Sequence, residues 1–465
     1  MAQRHDDSHK VSGGRCGSGG VPPMAGAPAL GQGIDPGMVM WLAPTVTLDT
    51  TMGLNLREGG VPPPSDQEVL PPMRRFTSRA LPIALSAATL IGVGAVSSTA
   101  AFASTSQRGF HGFPGPGDFG THDVYVSTNS TSGNAVQVFQ RQPGGSLVAE
   151  GSPVPTGGVG SDNAGGQGSV TLSQDGHTLL VVNEGTGTLG SSTVSDFAVG
   201  WNGQLTLRNT VSSGGLTPIS VAIRGNLVEV LNAGSATVPG TVVGFSASNL
   251  GLAPISGGSQ PLPFVAGANS LEEVTLNPSG SEVVVTDKGL DTINTFAVAR
   301  GGLLGTVVTT PGNMPGAATY AAAFAGQQLL VVDAGNPSAV SPYVLAGNGT
   351  LTATQSALPN SQAAACWIAV GTDNDAFVDN AGSASVSSYI VLDDGTLAFV
   401  GNTTLGGAVT PKPLDDAVSS DGRNLYVLDE ANNQIDSFAI GNNGRLTPVG
   451  APAPVLAGPL GIAAS

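Results

Sequence analysis

Acidic side chains recur at matching places along residues 123–465, and their spacing is the first sign of chemistry. Glu272-Glu273 and Asp415-Asp416 open short apolar runs, while Glu184, Asp287 and Asp429-Glu430 close others, with Lys288 directly after Asp287. Three kinds of chemistry fit. Asp and Glu at strand ends cap the turns that follow. A convergent set of carboxylates suits a hard cation, which gives a Ca²⁺-type or other cationic-ligand site. A carboxyl raised in pKa by like-charged neighbours serves as general acid or base, with Lys288 polarising a carbonyl. On that last reading Glu273, Asp415, Asp416 and Lys288 are the catalytic candidates. Glu184, Glu272, Asp287, Trp367, Asp429 and Glu430 are the ligand-binding ones. Asp416 stands out, because the corresponding residues elsewhere are Val170, Val221, Val274, Ala322 and Ile368. A carboxylate at a packed position needs a partner.

Other chemical motifs are thin. Gly185-Thr186-Gly187-Thr188-Leu189-Gly190 matches GxGxxG after a strand pattern, but a second strand pattern follows it instead of a helix. Without a helix N-terminus to hold a pyrophosphate it reads as a hairpin loop. Cys366 lies mid-strand between apolar residues and reads as a buried structural side chain. Trp367 beside it has two readings, packing between sheets or stacking on a sugar.

These residues must be positioned by many short strands. The chain has 68 Gly and 33 Pro in 465 residues, with 10% charged and 5% aromatic residues. That composition argues against helical bundles and coiled coils and leaves an all-β class. Leu414–Glu430 shows the unit: a strand ending at Val418, an Asp-Gly turn, then a strand over Leu425–Leu428. A polar loop leads to a strand near Ile435–Ile440, and a second Gly turn leads to one at Leu446–Val449. Glycine supplies the positive φ that such hairpins demand. Aligning the copies puts Ser169, Ser220, Glu273, Ala321, Trp367 and Asp415 at one position, spaced 51, 53, 48, 46 and 48 residues apart. That is the length of a four-stranded propeller blade.

Six blades follow directly, and the ends supply a seventh. Residues 123–158 hold three strand patterns with no first strand, and Pro459–Ala464 matches a first strand with nothing after it. Joined, they predict an all-β, seven-bladed propeller of four-stranded blades, the ring closed by the C-terminal strand entering blade one. Strand one begins where strand two ends, so the acidic residues above gather at one acidic channel mouth.

Ser420-Asp421-Gly422-Arg423-Asn424-Leu425-Tyr426-Val427 and its partners resemble the repeat of the bacterial lactonase-type seven-bladed propellers. That family includes 6-phosphogluconolactonase-like and carboxymuconate-cyclising enzymes. Val285–Lys288, Leu227–Asn232 and Ala365–Val370 resemble a secreted subgroup. The resemblance implies a lactone hydrolase or lactonising enzyme; the alternative reading is a non-catalytic extracellular propeller that binds a metal ion, a glycan or a cell-surface partner. Enzyme-like members often open strand one with Pro-Arg-His; here the places hold Leu414-Asp415, Glu272-Glu273 and Cys366-Trp367.

The residues before the repeats read differently. Residues 1–72 are Gly-, Pro- and Ser-rich without sustained periodicity, an extension expected to lie upstream of the true start. Met73-Arg74-Arg75, the apolar run Ala80–Val96 and Ala101-Phe102-Ala103 have the three parts of a secretory signal, so residues 73–103 are expected to be removed near Ala103. Residues 104–122 form a Gly/Pro-rich linker, and 123–465 the propeller. Residues 1–103 balance in charge, so the whole net charge of −16 falls on the expected secreted part. Such a protein repels phosphate backbones and anionic lipid, which excludes nucleic acid and peripheral membranes as partners. A small-molecule or glycan ligand and a monomeric state are expected.

Overall fold

The computed structural model describes residues 122–161, 166–188, 190–268 and 270–465. The expected extension, signal segment and nearly all of the linker lie outside the described residues. Seven antiparallel sheets follow one another. Their innermost strands are Val170–Leu172, Pro218–Arg224, Leu271–Leu276, Thr319–Ala325, Ala365–Val370, Pro413–Val418 and Leu460–Ala464. Each touches the innermost strand of the blade on either side, the last touching the first, so the sheets form a ring. The structure is a seven-bladed β-propeller. Blades five and seven break their outer strand in two, so that Leu358–Pro359 and Ala453–Pro454 pair separately with strand three.

The closing blade is built from both ends of the described chain. Leu460–Ala464 pairs antiparallel with Asp123–Ser127, in the register Val124↔Ala464, Tyr125↔Ala463 and Val126↔Ile462. The Asp123 amide donates to Ser465 Oγ at 2.8 Å, and the Ser465 amide donates to the Asp123 carbonyl at 3.0 Å. Closure removes the open inner edge that blade one would otherwise present.

Wedge geometry explains which residues fill the core. Sheets converge towards the axis, and one level of the inner strands carries only Thr171, Ala222, Thr275, Ala323, Ala369, Ala417 and Ala463. Farther out the sheets diverge, and every third strand supplies one buried ring: Phe139, Phe197, Phe245, Phe296, Tyr343, Tyr389 and Phe438. Small residues inside and aromatics outside keep the packing dense across a widening gap.

Candidate functional site at the ring axis

Five of the inner strands that follow blade two enter through an irregularity at the repeat position noted above. Register shifts fall between Pro218/Ser220, Leu271/Glu273, Thr319/Ala322, Ala365/Ile368 and Pro413/Asp415. A bulge leaves an amide outside the ladder. Several of these amides are met by the side chain at the same position one blade earlier. Ser220 Oγ accepts from the Val274 amide at 3.1 Å, and Glu273 Oε2 accepts from the Ala322 amide at 2.6 Å. Asp415 Oδ2 accepts from the Ile462 amide at 3.1 Å, while its Oδ1 accepts from the Asp416 amide at 2.9 Å. Two of the catalytic candidates therefore also join neighbouring blades.

Ala321 breaks this pattern, having no acceptor to offer blade six. Gln167 supplies one from blade two, on the far side of the axis. Its Oε1 accepts from the Ile368 amide at 2.8 Å, and its Nε2 donates to the Ile368 carbonyl at 2.5 Å. Ser220 Oγ holds the Gln167 carbonyl at 2.5 Å, and Gly166 lies against the Glu272 carbonyl so closely that a Cβ would overlap it. The acidic channel mouth is thus spanned by a side chain.

Beneath Gln167 lies a cavity of about 390 Å³ on the axis. Glu273, Asp415 and Asp416 line one end, and Arg224, Gln174 and Phe324 line it towards the other. Burial pushes Asp415 up to about 7 against its two amide donors. Burial, and then the Asp415 charge, push Glu273 well above the usual carboxyl range. Asp416 is raised well above it too, by burial first and then by Asp379 and Asp415, with the Ala369 amide near enough only to oppose the rise. Neither oxygen of Asp416 reaches a hydrogen-bond partner. The partner that its packed position demands is thus another acid, Asp379 of blade six. At the opposite end, Arg224 Nη1 donates to Gln174 Oε1 at 2.7 Å, while its buried Nε has no acceptor.

The remaining candidates sit on the rim. Lys288 is not among the residues lining the cavity; its Nζ lies 2.5 Å from Glu272 Oε1 and 4.5 Å from the centre of the Tyr320 ring. Burial raises Glu272, with Lys288 opposing. Trp367 is buried edge-on against Tyr320, the rings 5.1 Å apart at 84°, and presents no open face to a sugar. Asp287 Oδ1 accepts from the amides of Ser270, Gly289 and Leu290, and Asp429 Oδ1 from those of Lys412 and Ala431. Both cap turns at the ends of second strands. Glu184 Oε2 accepts from Ser161 Oγ at 2.5 Å, and burial pushes the carboxyl up to about 7. Glu430 pairs with Lys412 at 2.6 Å, a second rim lysine that the Pro-rich approach to blade seven hides in the sequence. Among the described residues, no three His, Cys, Asp or Glu side chains are placed to hold a metal ion.

Residues 258–458 match the family model described as "Lactonase, 7-bladed beta-propeller". Over this stretch the chain is similar to the lactonase-type propellers. Solved structures with the same fold include the periplasmic gluconolactonase of Pseudomonas aeruginosa. It is 20% identical, with a TM-score of 0.60 over 73% of this chain and 98% of that one. A putative 6-phosphogluconolactonase of Bacteroides fragilis is also 20% identical, with a TM-score of 0.58 over 75% and 99% of the two chains. Another from Bacteroides uniformis is 18% identical, with a TM-score of 0.60 over 74% and 99%. No curated protein matches this chain in sequence. Among its described residues no helix is long and apolar enough to cross a membrane.

Proposed function

We propose that this chain is an exported lactone hydrolase working in the axial cavity on an uncharged lactone. The observation that supports it is a pair of buried carboxyls on one cavity, both raised by burial, Asp415 to about 7 and Glu273 well above the usual carboxyl range. Carboxyls raised in this way serve as base and acid near neutral pH, and the Asp415 charge, which adds to the rise of Glu273, favours Glu273 as the acid. Water attacks the lactone carbonyl, and the Asp415 carboxylate takes its proton. As the ring C–O bond breaks, the leaving alkoxide takes a proton from the Glu273 carboxyl. The product is a hydroxy acid, and solvent returns the proton from Asp415 to Glu273. Lys288 is held by Glu272 on the rim and does not line the cavity, and Arg224 lines the end opposite the two acids, so the electrophilic role assigned to Lys288 on sequence grounds falls to neither. A phosphorylated substrate would bring two further negative charges to a cavity with three acids and one guanidinium.

Export rests on the signal-like Met73–Ala103 and on the periplasmic location in the name of the Pseudomonas aeruginosa protein. The second reading, a binding propeller without catalysis, draws on Gln167 spanning the acidic end. Titrimetric assay of glucono-1,5-lactone against 6-phosphogluconolactone separates the two. Turnover of the neutral lactone is expected, falling about 10²-fold or more in Asp415→Asn and little in Lys288→Ala. No turnover of any neutral lactone, or equal turnover in Asp415→Asn, rejects the enzyme reading.

A further inference from the structure

At the end of the ring opposite Gln167, Trp201 is 86% exposed. Six blades join strands three and four by the same turn, closed by a glycine amide donating to the carbonyl three residues back. The pairs are Gly145–Gln142, Gly203–Gly200, Gly302–Ala299, Gly349–Ala346, Gly395–Leu392 and Gly444–Gly441. The residue after the first turn position is Pro143, Trp201, Arg300, Gly347, Asp393 and Asn442 in turn. The turn itself therefore makes no demand for an aromatic. Blade two alone of these puts an indole there and forgoes the gain from burying the largest side chain.

The turn is also held in place. Tyr125 Oη donates to the Gly203 carbonyl at 3.4 Å, and Gly203, at φ +76°, backs onto the Asp123 carboxylate where no Cβ would fit. A cavity of about 600 Å³, within the usual range of ligand sites, runs from Trp201 between Asp175 and His177 on one side and Val418 and Ser420 on the other. It shares Leu172, Gln174, Val418 and Ala464 with the axial cavity, and so forms its approach at the end away from Gln167. Asp175 Oδ1 accepts from Ser173 Oγ at 2.6 Å and from the His177 amide at 3.1 Å. These bonds hold its carboxyl below the usual range, so it stays an ionised acceptor.

A flat apolar face, a fixed carboxylate, an imidazole and a hydroxyl around one groove match a pyranose ring. The ring's C–H face stacks on an aromatic while its hydroxyls need acceptors and donors. The acidity of the protein disfavours anionic sugars. We propose that this groove binds a neutral saccharide, one ring stacked on Trp201 with its hydroxyls bonded to Asp175 and His177. The observations behind it do not rest on the proposed lactone chemistry, and a ring bound here lies in the approach to the axial cavity.

Intrinsic fluorescence tests it, since Trp201 is exposed and Trp367 is buried. The full chain is titrated with linear gluco-, manno-, xylo- and N-acetylglucosamine oligosaccharides, and separately with choline. At least one sugar series should give a saturable quench or blue shift. The response should vanish in Trp201→Ala, whose unfolding midpoint should match the parent, and weaken about tenfold in Asp175→Asn with the loss of one charged hydrogen bond. No saturable response across the sugar panel, a response that survives in Trp201→Ala, or saturation by choline alone overturns the proposal.

Discussion

Asp379 of blade six raises the pKa of Asp416 of blade seven, burial raises both first, and neither carboxyl has a hydrogen-bond partner. Both are buried, at 5% and 0% exposure. Two bare carboxylates in such a place would be unaffordable, so the pair takes up protons. Among the described residues no side-chain cation offsets them: Arg224 lines the far end of the cavity, and Lys288 and Lys412 are paired on the rim.

Asp416→Asn should therefore stabilise the protein at high pH. The amide keeps the shape, carries no charge, and can donate to Asp379, whereas the wild-type pair must hold its protons against alkaline solvent. Unfolding midpoints of the two proteins should nearly coincide at pH 5 and separate at pH 8, with the variant higher by about 1–3 kcal/mol. A gap of the same size at both values would place the effect in packing rather than in protonation.

The same logic extends over the ring. Burial pushes Glu229 up to about 8, Glu184, Asp333 and Asp415 to about 7, and Asp123 and Asp436 to about 6. Each group binds a proton more tightly folded than unfolded. Between about pH 4 and these values the folded state holds more protons, so stability is fully present below about pH 4 and falls as pH rises. Asp421, held down chiefly by Arg141 and Ser419 against the cost of burial, works the other way, but only in stronger acid. Thermal midpoints should drop steadily from pH 5 to pH 8.5. A maximum near pH 7.5 would show that these carboxyls ionise freely in the folded protein.

Gln167→Ala tests the crossing of the axis. Truncation leaves the Ile368 amide and carbonyl without their partner, because Ala321 offers none. A loss of about 1–3 kcal/mol in urea unfolding is expected for orphaned buried groups. An unchanged midpoint would mean that water replaces the carboxamide and that Gln167 is not structural.

The repeat was legible because its signals are local. Asp-Gly turns, alternating apolar runs and the spacing of about 50 residues survive in the sequence, and they gave the blade count and the closure by Leu460–Ala464. The site was legible only in part. Glu273 and Asp415 could be placed at one repeat position, but not as acceptors for the next blade, since those partners lie 47 to 49 residues further on. Gln167 precedes its blade in a Gly-rich loop, and its partner Ile368 is 201 residues away. Nothing local marks such a crossing. Trp201 carries a local signal of another kind: alignment of the strand three–four turns isolates it, whereas the strand one–two turns say nothing of it.

Removing Leu460–Ser465 tests the closure itself. The deletion takes away the inner strand of blade one, exposing the edge of Asp123–Ser127 and uncovering Tyr125 and Val126. It also removes the Ile462 amide from Asp415 Oδ2, leaving that buried carboxyl with only the Asp416 amide. Both losses point the same way. An unpaired strand with an apolar face is a template for self-association, and the ring loses contact between blades seven and one at the same time. The truncated protein should unfold at a sharply lower temperature or aggregate during purification, and a peptide spanning residues 458–465 added in excess should partly restore the midpoint by mass action. Full stability without the segment would mean that the other six blades hold the ring closed unaided.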